Sequence, residues 1–198
     1  MKPATKENAT RDHIIATGQK IISHKGFSAV GLTEILKDAG TPKGSFYHYF
    51  ASKDAFGEEM LKSYFKEYHA EMDALFAKQG LSGAQRLLQY FSDWQKNQSI
   101  DDCQGRCLAV KLGAEVSDIS TPMRLALKEG TEGIISRLKD LIDAGVEDKS
   151  LSVDRSSKDV AASLYYLWVG ASVMTKIART QDAFEATLQS TKQMLGIK

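Results

Sequence analysis

Two short stretches of this sequence hold the side chains that could do chemistry. In residues 40–50, Lys43 supplies a cation, Ser45 a hydroxyl, and Tyr47 and His48 long side chains that end in hydrogen-bonding groups, with Gly44 leaving room beside them. Cations and hydroxyls grip phosphate oxygens, and longer polar side chains can reach base edges in a groove, so this set suits DNA. Thr33 and Lys53, on either side, add one more hydroxyl and one more cation. The second stretch centres on Cys107, with Lys111 one helical turn later and Glu115 one turn beyond that. A thiolate is the species that is alkylated or oxidised, and a nearby ammonium favours it. Cys103 follows Asp101 and Asp102, whose charge opposes thiolate formation, which leaves it at most the role of a resolving thiol.

Other chemistries find less support. His13, His24 and His69 are not spaced four residues from another histidine or cysteine, the distance helical zinc sites favour, so no metal site and no cofactor are expected. An enzyme using Cys107 as nucleophile would need a base such as histidine close by, and the segment around Cys107 contains none; Glu115 is a poor substitute. The chain is therefore not expected to be an enzyme. Its first residues, MKPATKENATRD, lack the apolar central region of a secretory signal, so the cytoplasm is the expected compartment and the two cysteines are expected as thiols. The apolar stretch 160–177 is interrupted by Ser163, Gly170, Ser172, Thr175 and Lys176 and reads as a buried helix, not a membrane span.

Charge is unevenly placed. Residues 1–53 carry eight basic side chains against four acidic ones, a net +4 in a chain whose total is only +1, so the remainder is net acidic at −3. A basic amino-terminal segment suits a phosphate contact there.

The elements that must position these groups are helical. Three prolines in 198 residues, and apolar residues recurring at three and four, predict an all-α chain without strands. A first helix over about residues 10–25 presents Ile14, Ile15, Gly18, Ile21 and Ile22, with Gly26 as its left-handed stop. In the second, Gly31 caps the start, Glu34 can reach back to it, and Ile35, Leu36 and Ala39 face inward before Gly40. Thr41 as hydroxyl cap and Pro42 at the first position then open a very short third helix, Lys43 to about Tyr49. Ser52 and Lys53 open a long fourth helix that runs until Gly80 and Gly83. Further helices are expected near residues 84–96, 105–116, 121–144, 155–179 and 182–195. A long helix followed by two short ones across a Gly-containing turn is a helix-turn-helix arrangement. Residues 1–53 read as a three-helix DNA-binding domain, and residues 54–198 as a helical sensor and dimerisation bundle.

The run GFSAVGLTEILKDAGTPKGSFYHYFASKDAF resembles the amino-terminal signature of TetR-type regulators over roughly residues 11–56. The resemblance implies that the helix over residues 43–49 enters the major groove, with Thr33, Lys43, Gly44, Ser45, Tyr47, His48 and Lys53 as the DNA-binding set. Phe46 and Phe50 are expected as hydrophobic anchors facing inward. The chain departs from the pattern at Val30 and Gly31, where such regulators often place two hydroxyl residues, and at Pro42, where a serine is usual.

Residues 105–118 and 170–179 resemble the NemR-like branch of the family, repressors that sense electrophiles and oxidants through cysteine. That resemblance implies Cys107 as the reactive thiol and Lys176 as its cationic neighbour, with Lys111 a rival for the same role. Tyr90, Phe91, Trp94, Tyr165, Trp168 and Met174 could line an apolar ligand pocket, although aromatic residues at helical spacing are more often core. The last two long helices, carrying Ala161, Leu164, Leu167, Ala171, Phe184, Leu188 and Leu195, resemble the family's dimer-forming pair. A homodimer reading a palindromic operator follows, because one short recognition helix reads few base pairs. The function expected is that of a repressor released from double-stranded DNA by a small-molecule or reactive-electrophile signal. Three alternatives stay open: a structural Cys107 beside a non-covalent apolar ligand, a cysteine-dependent enzyme, and a helical scaffold that does not bind DNA.

Overall fold

The computed structural model describes residues 6–103 and 107–197, with the side chains of residues 6, 7 and 100–103 outside that description. Lys2, counted in the basic segment, and the Cys103 side chain, considered as a resolving thiol, thus lie outside the described residues. Among those residues there are only helices: α1 (Lys6–Lys25), α2 (Leu32–Asp38), α3 (Lys43–Tyr49), α4 (Lys53–Phe76), α5 (Gly83–Cys103), α6 (Leu108–Ile119), α7 (Thr121–Glu147), α8 (Ser157–Ala178) and α9 (Asp182–Met194). They form two compact units, one of residues up to Lys66 together with Lys111–Gly130, the other of Glu67–Val110 and Thr131–Lys198. The first unit is larger than the expected 1–53 head, because the start of α4 and most of α6 share its core.

In the first unit, Ile14, Ile22, Ile35, Phe46, Phe56, Met60 and Leu61 are fully buried. α1 and α4 approach closely at Gly18, where an added Cβ would collide with the Phe56 ring. Gly26 adopts φ +91° and ends α1 as expected. Gly31 caps α2 as expected, but one expected capping contact and one expected cap are not formed. Gly31 caps α2 without any side-chain bond, and the Glu34 carboxylate accepts from Lys25 at 2.5 Å instead of reaching back. Pro42, not Thr41, is the cap of α3, and Lys43 is its first residue. The reason lies in the preceding turn: Gly40 sits at φ +58°, its N–H donates to the Lys37 carbonyl, and the Thr41 N–H donates to the Leu36 carbonyl at 2.9 Å. That pair of bonds is a Schellman motif, which commits the Thr41 backbone to closing α2; its hydroxyl also turns back, to the Ala39 carbonyl at 3.1 Å.

The second unit is organised around Trp168 of α8, fully buried and stacked on Phe91 of α5 (centroids 4.6 Å apart, 17° between planes) and Phe184 of α9 (5.5 Å, 30°). Buried indole N–H groups need acceptors. Trp168 Nε1 donates to Thr191 Oγ1 and Trp94 Nε1 to Ser172 Oγ, each at 2.9 Å. α5 begins where it crosses α7: a Cβ on Gly83 would meet the Gly145 backbone, and Asp148 and Ser150 accept the Gly83 and Ala84 N–H groups at 2.7 and 3.0 Å. α8 has the length and hydropathy of a membrane span by composition, yet Val160, Ala161, Leu164, Tyr165, Trp168 and Ala171 are buried in this bundle.

Candidate nucleic-acid interface and sensor site

α3 divides by helical phase into an inner and an outer face. Phe46 and Phe50, 0% and 1% exposed, pack on one another (5.1 Å) and on Phe56 (5.7 and 5.2 Å). Residues one, four and five positions from Lys43 then share the opposite face. Lys43, Gly44, Tyr47 and His48 are all exposed there, Tyr47 at 50%, with the Lys43 ammonium 6.0 Å from the Tyr47 ring centroid. No atom would lie within 4 Å of a Cβ on Gly44, so this face of the helix is open to close approach. Ser45 and Tyr49 are half-buried on its flanks, and Thr33 is exposed on α2. Six of the seven residues assigned to DNA thus face solvent at least in part.

Lys53 is different. Its ammonium donates to the Phe27 carbonyl at 2.7 Å and lies 4.3 Å from the Phe27 ring centroid. Burial there depresses its pKa, against the opposing pull of Asp54 and Glu115. The carbonyl it holds belongs to a corner that two residues of α6 also grip. Lys111 Nζ donates to the His24 carbonyl at 2.8 Å, in the last turn of α1, where a cation also suits the helix dipole. Glu115 accepts the N–H of Phe27 at 3.1 Å and of Ser28 at 2.6 Å. Burial pushes the Glu115 carboxyl up, but the hydrogen bonds from Ser28 and Phe27, with the Lys111 charge, outweigh it and hold the pKa below the ordinary value. Along the sequence Lys111 and Glu115 stand out only as neighbours of Cys107. Their spacing on one face of α6 was visible; the corner between α1 and α2 that they hold was not.

Cys107, half-buried, directly precedes the first residue of α6. Lys176 is half-buried in the last turn of α8. Of the residues offered as a ligand pocket, Phe91 and Trp168 are stacked core, and Met174, 52% exposed, points away from it. Tyr90 and Trp94 do border a cavity of about 340 Å³, together with Tyr68, Met72 and Leu75 from α4, which are not among the six residues expected there. The Tyr68 and Tyr90 hydroxyls meet at 2.9 Å, and the Tyr165 and Trp94 rings are 5.8 Å apart. The residues named for dimerisation also need correction: Ala161, Leu164, Ala171, Phe184 and Leu195 are buried within the chain. The outward face of α8 is instead Tyr166, Gly170, Val173 and Ile177, one helical stripe, with the three side chains 65%, 40% and 69% exposed.

Residues 14–60 match the model of the tetR family of bacterial regulatory proteins, and residues 83–191 match the tetracyclin repressor-like carboxy-terminal domain. The chain belongs to the TetR family. Over 190 residues it is 37% identical to the HTH-type transcriptional repressor NemR of Escherichia coli K12, covering 96% of each chain. The crystal structure of the reduced form of E. coli NemR superposes with a TM-score of 0.90 at 38% identity, covering 94% of this chain and 97% of that one. The HTH-type transcriptional repressor DhaR of Mycobacterium sp. strain GP1 is 28% identical, with 93% and 95% of the two chains covered. As a TetR-family member the chain is a DNA-binding transcriptional repressor, and regulators of this family bind DNA and act as dimers with small-molecule effectors.

Proposed function

We infer that this TetR-family repressor binds a palindromic operator as a homodimer in the cytoplasm and leaves it when a reactive electrophile or oxidant modifies Cys107. The observation that carries the DNA half is the outer face of α3, where Lys43, Gly44, Tyr47 and His48 stand over the Phe46–Phe50 anchor. In this reading Lys43 and the flanking Ser45 and Thr33 hold phosphates, and Tyr47 and His48 reach base edges. Lys53 supports the set from behind by fixing Phe27.

The sensing half rests on Cys107. Its place before a 12-residue helix puts the sulfur where a helix dipole favours negative charge. Because the Lys111 ammonium is committed to the His24 carbonyl, Lys176 is the cation assigned to the thiolate. The same helix carries Lys111 and Glu115, so a displacement of its start would be felt at the α1–α2 corner; release requires that the modified state disfavour the DNA-bound arrangement. The second copy is assigned to the Tyr166, Val173 and Ile177 face of α8.

A second reading draws support from the cavity beside Tyr68, Tyr90 and Trp94: a non-covalent apolar effector with Cys107 a bystander. A gel shift with the intergenic DNA upstream of the protein's own gene tests the first half, and binding that is neither sequence-selective nor salt-sensitive would rule out operator recognition. Release of the Cys107→Ser protein by a maleimide or hypochlorite as readily as the parent would give the second reading the field.

A further inference from the structure

The cavity beside Tyr68, Tyr90 and Trp94 lies wholly within the second unit, with walls from α4 and α5. Its apolar lining is Met72 and Leu75 together with the three aromatic rings. The polar edges of those rings are already engaged elsewhere. Trp94 Nε1 donates to Ser172 Oγ at 2.9 Å, and the Tyr68 and Tyr90 hydroxyls bond to one another at 2.9 Å. What the rings chiefly offer a ligand is therefore hydrocarbon and π surface.

Polar recognition falls to the other lining residues, and their charges are unequal. Glu71 is exposed at the cavity and makes no hydrogen bond or ion pair among the described residues. Asp93 uses one oxygen, Oδ1, for the Gln89 amide at 2.9 Å and the exposed Lys96 ammonium at 3.4 Å, and its Oδ2 has no partner among the described residues. Lys78 also borders the cavity but forms no ion pair with either carboxylate. The lining thus sets two carboxylates against one ammonium, beside an aromatic surface.

That combination fits a cation with an apolar body. The carboxylates attract the charge, and aromatic rings attract a cation to their negative faces, tryptophan most strongly. A quaternary or aromatic ammonium spreads its charge over carbon, so it leaves water for such a cavity at lower cost than a compact, strongly hydrated ion. An anion of the same size would meet both carboxylates, and a neutral molecule would leave them unused. The volume of about 340 Å³ suits a small organic molecule.

We propose that this cavity binds small organic cations with an apolar body, quaternary or aromatic ammonium compounds, with Glu71 and Asp93 drawing the charge while Tyr68, Tyr90 and Trp94 pack on the remainder. The inference rests on the second reading above, in which the cavity takes a non-covalent ligand, and adds the charge that ligand carries. No covalent step is involved, and Cys107 takes no part.

The test titrates the full-length protein by isothermal calorimetry with benzyltrimethylammonium, benzyl alcohol and phenylacetate, none of which alkylates or oxidises a thiol. The cation should bind most tightly, and its affinity should fall as salt rises. Glu71→Gln and Asp93→Asn should each weaken the cation about fivefold and leave benzyl alcohol unchanged, while Lys78→Gln should strengthen the cation and weaken phenylacetate. Glu71 and Lys78 are exposed, and an asparagine at position 93 still accepts from Gln89, so the fold should survive all three substitutions. Equal affinity for benzyl alcohol and the cation, or cation binding indifferent to both carboxylate substitutions, would overturn this inference and leave the second reading standing. Cation binding that does not release operator DNA would uphold the site and remove the second reading. Binding of none of the three compounds would overturn both.

Discussion

The Glu115 carboxylate accepts the backbone N–H of Ser28 at 2.6 Å, 87 residues away along the chain, and that of Phe27 beside it. Together with Lys111 on the His24 carbonyl and Lys53 on the Phe27 carbonyl, it closes the polar backbone of the α1–α2 corner with three side chains. The His24 carbonyl is one that the last turn of α1 leaves without a helical partner, and Phe27 and Ser28 lie in the loop beyond it, so the corner draws these bonds from α6 and α4.

Glu115→Ala should therefore destabilise the protein by about 1–2 kcal/mol, toward the low side for hydrogen bonds to a charged group because the carboxylate is half-exposed. Urea denaturation checks this, with a shifted midpoint at unchanged slope. A midpoint equal to the parent's would mean the contact carries no stability.

The same carboxylate sets a pH dependence. Its folded pKa lies below the ordinary glutamate value of 4.5, so its contribution is fully present above that value and is lost as pH falls through the lower, folded one. The difference in stability between parent and Glu115→Gln should accordingly be constant near neutrality and shrink in acid below pH 4.5. A gap that widens in acid would contradict the assignment.

Lys43 and Lys53 should part company experimentally. Lys43→Ala should leave the denaturation midpoint alone, weaken operator and non-specific DNA alike, and reduce the salt slope of binding by about 1. Lys53→Ala should lower the unfolding free energy by about 1 kcal/mol, because the Phe27 carbonyl loses its shorter hydrogen bond and keeps only the 3.4 Å one from the Val30 N–H. Salt titrations of DNA binding beside urea melts distinguish the two; a Lys53→Ala protein of parental stability would show that its ammonium serves DNA instead.

Gly18→Ala tests the α1–α4 crossing. A methyl group there meets the Phe56 ring, which is fully buried among Phe46 and Phe50 and has little room to yield. Overpacking should cost about 1–3 kcal/mol despite alanine's better helix propensity. A thermal midpoint raised by the substitution would show that the ring moves aside freely.

The exposed stripe on α8 gives the fourth substitution series. Val173→Glu or Ile177→Glu places a charge in the middle of an apolar face and should convert a dimer to a monomer in sedimentation equilibrium, with operator affinity falling alongside. Leu164→Glu, by contrast, should unfold the bundle, because that side chain is fully buried within the chain. A dimer that survives both surface substitutions would move the interface elsewhere.

The sequence by itself determined the head's local geometry. Gly26 and Gly40 mark positive-φ stops, Pro42 marks a helix start, and the four-residue step from Phe46 to Phe50 fixes which face of α3 turns inward. These signals are local: backbone sterics and helical period act within a few residues, so α3 and its outer face could be read without a fold. Even there the Schellman bonds at Gly40 moved the cap of α3 from Thr41 to Pro42. Only the tertiary structure decided what Lys53, Lys111 and Glu115 hold, since their partners at His24, Phe27 and Ser28 lie 26 to 88 residues away and leave no trace in spacing. It also decided that Phe91 and Trp168 are core while Tyr68 borders the cavity, and that Val173 and Ile177, not Leu164 and Ala171, face outward. An apolar residue on a helix says that something covers it; whether that is the same chain or another is settled by which neighbours packing brings there.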